Sequence, residues 1–226
     1  MIMPIPLKPQ EKKNGYIYLV LSLFVLPVLI QLLGATLSMD AAQINFVYYA
    51  VNFTAVMCLF GRFLFGNLLV ALDRVFPVIW FAVLSYLGYD TVGELVNMLI
   101  YSISPSFANL NDAAVTTMVL TNPLFAFAVI ALVPVAEETL YRGLIFRGLY
   151  DRAPVAAYLV SMAVFSAIHV SGYIGTLSPL HLALSFLQYL PAGYCLCFAY
   201  RRSGTILCPI FVHMAINAVS VLALMR

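Results

Sequence analysis

"VPVAEETLYRGLIFRGLY", residues 133–150, places two adjacent carboxylates, Glu137 and Glu138, in an otherwise apolar helical run. Whether that run is soluble core or membrane span decides the fold, and the rest of the chain answers. Of 226 residues, 64% are hydrophobic and 9% charged, and the mean hydropathy is +1.01. An ordinary soluble domain carries about 25% charged residues, so this chain lacks the polar surface that a water-facing fold requires.

Apolar runs of about 17 to 25 residues cross a bilayer as helices. Five stand out, at 16–37, 44–65, 120–141, 155–170 and 205–225, with weaker ones at 75–89 and 182–200. The expected fold class is all-α, a polytopic transmembrane helical bundle of about six to eight helices. The length leaves room for one integral-membrane domain over 1–226. Within it, 1–119 supplies N-terminal spans and an outer amphipathic segment, and 120–226 supplies the core that carries the chemistry. Region 90–121 is less apolar, and its stretch 92–101 reads as a connecting helix because it has no basic face.

Basic residues fall on alternate connections: Lys8, Lys12 and Lys13 before the first span, Arg62 and Arg74 around the turn after the second, Arg147 and Arg152 after the Glu pair, and Arg201 and Arg202 after the sixth. The positive-inside rule makes these loops and the N-terminus cytoplasmic, and puts Asp40, Asp90, Glu94, Asp112 and loop 171–180 outside. Arg226 is the exception. The first apolar run is long and no small-residue cleavage site follows it, so it is expected to be retained as a signal anchor. Cys58, Cys195, Cys197 and Cys208 lie in apolar runs and read as buried fillers. His181, after Pro179, reads as an interface residue.

An ionisable group inside a span costs about 2.5 to 3.5 kcal/mol on insertion scales, and so marks a pair or a function. The intramembrane set is Glu137, Glu138, Arg142, His169 and His213, with Asn217 as an uncharged companion. Glu138 and Arg142 are four apart and share a helix face, whereas Glu137 points about 100 degrees away without a local partner. Counted from a turn at 151–154, Glu137 and His169 lie roughly 23 to 25 Å along their helices. From a turn at 202–204, His213 and Asn217 lie about 15 and 21 Å along the last span. Three helices therefore offer polar groups in one layer. Pro134 and Pro209 should each leave a backbone carbonyl unpaired nearby, as suits a wet pocket. A structural ion network, a satisfied core histidine and an interhelical His–Asn contact are the alternatives for these groups taken singly.

A desolvated glutamate and an imidazole sharing one water make a general base. A second histidine and an amide are donors for an oxyanion. The same Glu137, His169 and His213 are also a possible ligand set for a divalent metal such as zinc, although H-E-x-x-H is absent.

"EETLYR", "FSAIH" and "HMAIN" match, in order, E-E-x-x-x-R, F-x-x-x-H and H-x-x-x-N. In these motifs the chain resembles the CPBP (Abi) family of intramembrane proteases, which includes the type II CAAX prenyl endopeptidases. The resemblance covers Glu137 to Asn217. It implies that Glu137 with His169 activates water, that His213 and Asn217 stabilise the oxyanion, and that Glu138 with Arg142 shapes the site. The family is often labelled metalloprotease, and a metal-free glutamate mechanism competes with that label. The asparagine amide favours the latter. Expected partners are membrane lipid and a peptide or membrane-anchored protein, possibly prenylated, with no nucleic acid. A non-proteolytic immunity or scaffold protein on the same fold is the competing function.

Overall fold

The computed structural model describes residues 5–224, and over these the chain is helical. Seven helices are long and apolar enough to cross a membrane: α1 Pro9–Thr36, α2 Ala41–Asp73, α3 Val75–Ile103, α5 Pro123–Tyr150, α6 Pro154–Ser171, α7 Pro179–Ser203 and α8 Leu207–Leu224. The short α4, Leu110–Thr121, lies between α3 and α5. Each expected span has its helix; most run longer than expected, whereas the last begins two residues later, at Leu207, and the span expected from 120 begins at Pro123. The expected end of the last span at Met225, and Arg226, lie outside the described residues.

Local chemistry sets the ends. Asp40 caps α2 reciprocally: its carboxylate accepts from the Gln43 amide at 2.8 Å while the Gln43 side chain accepts from the Asp40 N–H at 3.0 Å, relieving orphan donors at the helix start. Asn122 and Ser178 cap α5 and α7. Gly204, at φ 79, closes α7 in the left-handed conformation that suits glycine.

Three details depart from the sequence reading. Residues 92–101 are not a separate connecting helix but the continuation of α3, which runs unbroken to Ile103; no proline falls between Pro77 and Pro105 to stop it. Arg62 does not border a turn, because α2 continues eleven residues to Asp73; it instead forks onto Glu11, with bonds of 2.9 and 2.6 Å. Cys58 is exposed on the bundle surface, while Cys195, Cys197 and Cys208 are buried and unpaired as expected.

Packing follows from which side chains are large. Phe60, Phe63, Leu144, Phe146, Leu196, Tyr200 and Ile210 are buried together where α2, α5, α7 and α8 meet. α7 is the hub, packed against α6 and α3. Outward, Phe24, Phe65, Phe76, Trp80, Leu95, Leu159 and Leu222 are exposed around the bundle. In water so broad an apolar surface would drive association, whereas lipid chains solvate it. This is an integral membrane protein.

The basic connections meet at one end. Arg74 donates to the Ser203 carbonyl at 2.8 Å, Arg201 lies 4.9 Å over the Tyr150 ring, and Arg147 pairs with Asp151 at 2.5 Å.

Candidate active site

Between the spans lies a cavity of about 830 Å³, lined by residues of α1 to α8. Glu137, His169, His213 and Asn217 all line it. The depth count thus finds its structural counterpart: α5, α6 and α8 deliver their polar groups to one chamber.

α5 is not a regular helix. Two wide π turns interrupt it, at Ala128–Leu132 and Thr139–Phe146, with Glu137 and Glu138 on the short α-helical piece between them, Val133–Glu138. Such turns recur at functional sites because they re-aim side chains. The first has a covalent cause. Pro134 has no N–H, and the Val133 N–H turns to the Ala128 carbonyl, so the Val129 carbonyl loses its donor from the next turn. Asn217 supplies one, Nδ2 to Val129 O at 2.8 Å. α1 repeats the pattern. There Pro27 follows a π turn at Leu21–Val25, and the Ser22 carbonyl, five residues before the proline, accepts from the Tyr48 hydroxyl at 3.0 Å. The expectation of a bare carbonyl near Pro134 is met, and a cavity residue seals it. The expectation for Pro209 is not: it sits in the first turn of α8, where its missing N–H breaks no bond, and the Thr205 carbonyl accepts from Ser203 at 3.1 Å.

The two glutamates occupy unlike environments. Glu138 is fully buried, and its Oε1 accepts from Arg142 Nη1 at 3.0 Å and from His213 Nδ1 at 2.8 Å. Arg142, also fully buried, donates from Nη2 to the Gly193 carbonyl at 3.2 Å and lies 4.6 Å over the Phe165 ring. Gly193 suits this close approach of α7 to α6: a Cβ there would stand 3.0 Å from the Met162 backbone, and the helices would have to part by a few tenths of an ångström. Glu137, by contrast, makes no hydrogen bond or ion pair among the described residues, although a buried Oε2 without a partner is common to both glutamates.

His169 is held by an Nδ1 bond to the Phe165 carbonyl at 2.8 Å. A carbonyl only accepts, so Nδ1 carries the proton and Nε2 keeps its lone pair. His213, whose Nδ1 faces Glu138, likewise leaves Nε2 for the cavity. Glu137 and His169 share no hydrogen bond, and the cavity that both line lies open to a water.

Among the described residues, no three His, Cys, Asp or Glu side chains gather as a metal ion requires. Glu137, His169 and His213 as arranged do not fit a zinc site.

Residues 119–219 match the family model described as type II CAAX prenyl endopeptidase Rce1-like. This match supports a likeness to CPBP-type membrane proteases over that part of the chain. A Bacillus subtilis (strain 168) protein named "Putative membrane peptidase YdiL" is similar to this chain, 28% identical over 108 residues, which are 47% of this chain and 40% of that protein. The chain thus matches less than half the length of that relative. No solved structure matches the chain. Glu137, His169, His213 and Asn217, one or two from each motif segment, are the motif residues that face the cavity.

Sequence reasoning missed four features. The Glu138–His213 bond joins residues 75 apart, which no local period reveals. Tyr48 as a carbonyl cap, the Gly193 carbonyl, and a polar array around Tyr189 left no trace either. The spacing of Pro134 and Pro27 to the carbonyls five residues earlier was the one available signal.

Proposed function

We propose that the protein is an intramembrane endopeptidase that hydrolyses a peptide bond of a membrane-associated substrate, with Glu137 as general base. The observation that carries this reading is the unpartnered Glu137 carboxylate in a cavity it shares with His169, His213 and Asn217.

Glu137 and His169 Nε2 accept hydrogen bonds from one water, and a proton passes to Glu137 as the oxygen attacks the carbonyl carbon. The developing oxyanion takes a bond from the second Nδ2–H of Asn217, whose first is spent on Val129. His213 contributes there once its Nε2 is protonated, the imidazolium being held by the Glu138 carboxylate. The proton on Glu137 then moves to the amide nitrogen as the C–N bond breaks, releasing a carboxylate and an amine. Donors set before the reaction in a water-poor site need no reorganisation, which is where most of such a rate gain comes from.

By the positive-inside rule, the end that gathers Arg74, Arg147 and Arg201 faces the cytoplasm, so the cavity mouth near Asp112 faces away from it. A prenylated substrate is one candidate, and the family match supports testing it first.

The test compares protein N-termini in membranes from cells expressing the wild type or Glu137→Gln at equal level. New N-termini that depend on Glu137 are expected; identical N-termini, with both proteins folded, refute the proposal.

A further inference from the structure

The cavity holds a polar array that this chemistry leaves unused. Tyr189 of α7 donates its hydroxyl hydrogen to Asp112 Oδ1 at 2.6 Å, and the amides of Asn111 and Asn109 donate to the same hydroxyl oxygen at 3.0 and 3.2 Å. Three bonds therefore fix one phenol oxygen. Gln188 extends the array, accepting from Asn109 at 2.7 Å and donating to Asn97 of α3 at 3.1 Å.

The other face of this arrangement is the Tyr189 ring. Its centroid lies 4.4 Å from that of His169, with the planes 32° apart. Phe165, from the same helix as His169, adds a second ring at 4.5 Å. An imidazole tethered only through Nδ1 can still swing on its χ angles. Two aromatic neighbours, one anchored from a different helix, remove that freedom. A simple tie between α4 and α7 would need only the Asn109–Gln188 bond; three bonds on the hydroxyl of the ring that packs on His169 do something else.

We propose that Tyr189 is a positioning residue for His169, with Asp112 as its anchor. The phenol oxygen is fixed at the cavity mouth so that the ring holds the imidazole, and Nε2 stays aimed at the water shared with Glu137. The anchor needs only a hydrogen-bond acceptor at position 112, not a charge. This inference rests on the peptidase reading for its consequence in cleavage, but not for its consequence in structure.

The chain has three histidines, so imidazole-15N labelling of the purified protein gives three pairs of ring signals, and His169→Gln identifies one pair. The wild type is expected to show His169 as a single Nδ1–H tautomer. In Tyr189→Leu, and in Asp112→Leu, those signals should broaden or split, and release of the Glu137-dependent N-termini should fall about 100-fold, the cost of roughly 1 Å of misplacement. Asp112→Asn, whose amide oxygen still accepts the phenol bond, should restore both toward wild type. Tyr189→Phe, which keeps the ring and loses all three bonds, should fall between, and serves if the leucine variant does not fold. An unchanged His169 signal in folded Tyr189→Leu overturns the proposal, as does Asp112→Asn behaving like Asp112→Leu. A wild type that cleaves nothing refutes the peptidase reading instead, and the spectra still decide the role of Tyr189.

Discussion

Removing the Asn217 amide exposes how the broken helix is held. Val129 O has Asn217 Nδ2 at 2.8 Å because Pro134 brings no N–H to that turn. Asn217→Ala leaves the carbonyl of the buried Val129 without a donor. An unsatisfied carbonyl costs about 1–3 kcal/mol, and measured interhelical side-chain bonds in a membrane average about 0.6 kcal/mol with a maximum near 1.7. Some water reaches the cavity, so a loss of about 1–1.5 kcal/mol is expected. Pro134→Ala returns an N–H to the turn. If that N–H takes over the carbonyl, Asn217→Ala in the Pro134→Ala background should cost little, giving a coupling of about 1 kcal/mol in a double-mutant cycle. The assay is reversible unfolding in mixed micelles, followed by helical circular dichroism. Equal costs of Asn217→Ala in both backgrounds would refute the link between the proline and the asparagine.

Four other outcomes follow from named contacts. Tyr48→Phe bares the Ser22 carbonyl and should destabilise by about 1 kcal/mol in the same unfolding assay, less so when Pro27 is replaced by alanine. Arg142→Leu leaves Glu138 buried with His213 alone and should cost about 3–5 kcal/mol; Arg142→Lys should recover only part, since an ammonium cannot fork to both Glu138 and the Gly193 carbonyl. Glu138→Gln removes the charge that holds a His213 imidazolium and leaves Arg142 buried without a counterion, so it should cost about 3–5 kcal/mol of stability and slow cleavage per folded molecule by up to about 10²–10³-fold. For pH dependence, enclosure at the cavity mouth raises the Asp112 carboxyl above its ordinary value, opposed by the Tyr189 bond and by His169. A raised carboxyl favours the folded state while protonated, and that contribution is lost as pH rises through the folded value. Asp112→Asn should therefore be at least as stable as wild type at neutral pH, with the difference vanishing in acid below the titration of the unfolded carboxyl.

The membrane class was legible because composition is a statement about solvent, and a chain this poor in charge has one solvent it can face. Glu138 and Arg142 were legible because i, i+4 neighbours meet on any helix, and here the pair forms even at the edge of a π turn. The shared layer of Glu137, His169, His213 and Asn217 followed from counting residues back from hairpin turns, since rise per residue is nearly constant. What depended on rotation about a helix axis was not legible. The second role of Glu138, bonding His213 across the bundle, needs the azimuth of α8. The Tyr189 array needs three segments to converge. Pro209 misled because a proline in the first turn and one in mid-helix look alike until the helix start is known.

The central claim is that Glu137 takes the proton of the attacking water. Purified wild type and Glu137→Gln, reconstituted in liposomes with a substrate whose new N-terminus depends on this protein, test it by initial rate. The account predicts a loss of at least about 10²-fold for Glu137→Gln, the scale of a lost general base, with substrate still bound. Cleavage at the wild-type rate by the folded variant would contradict it.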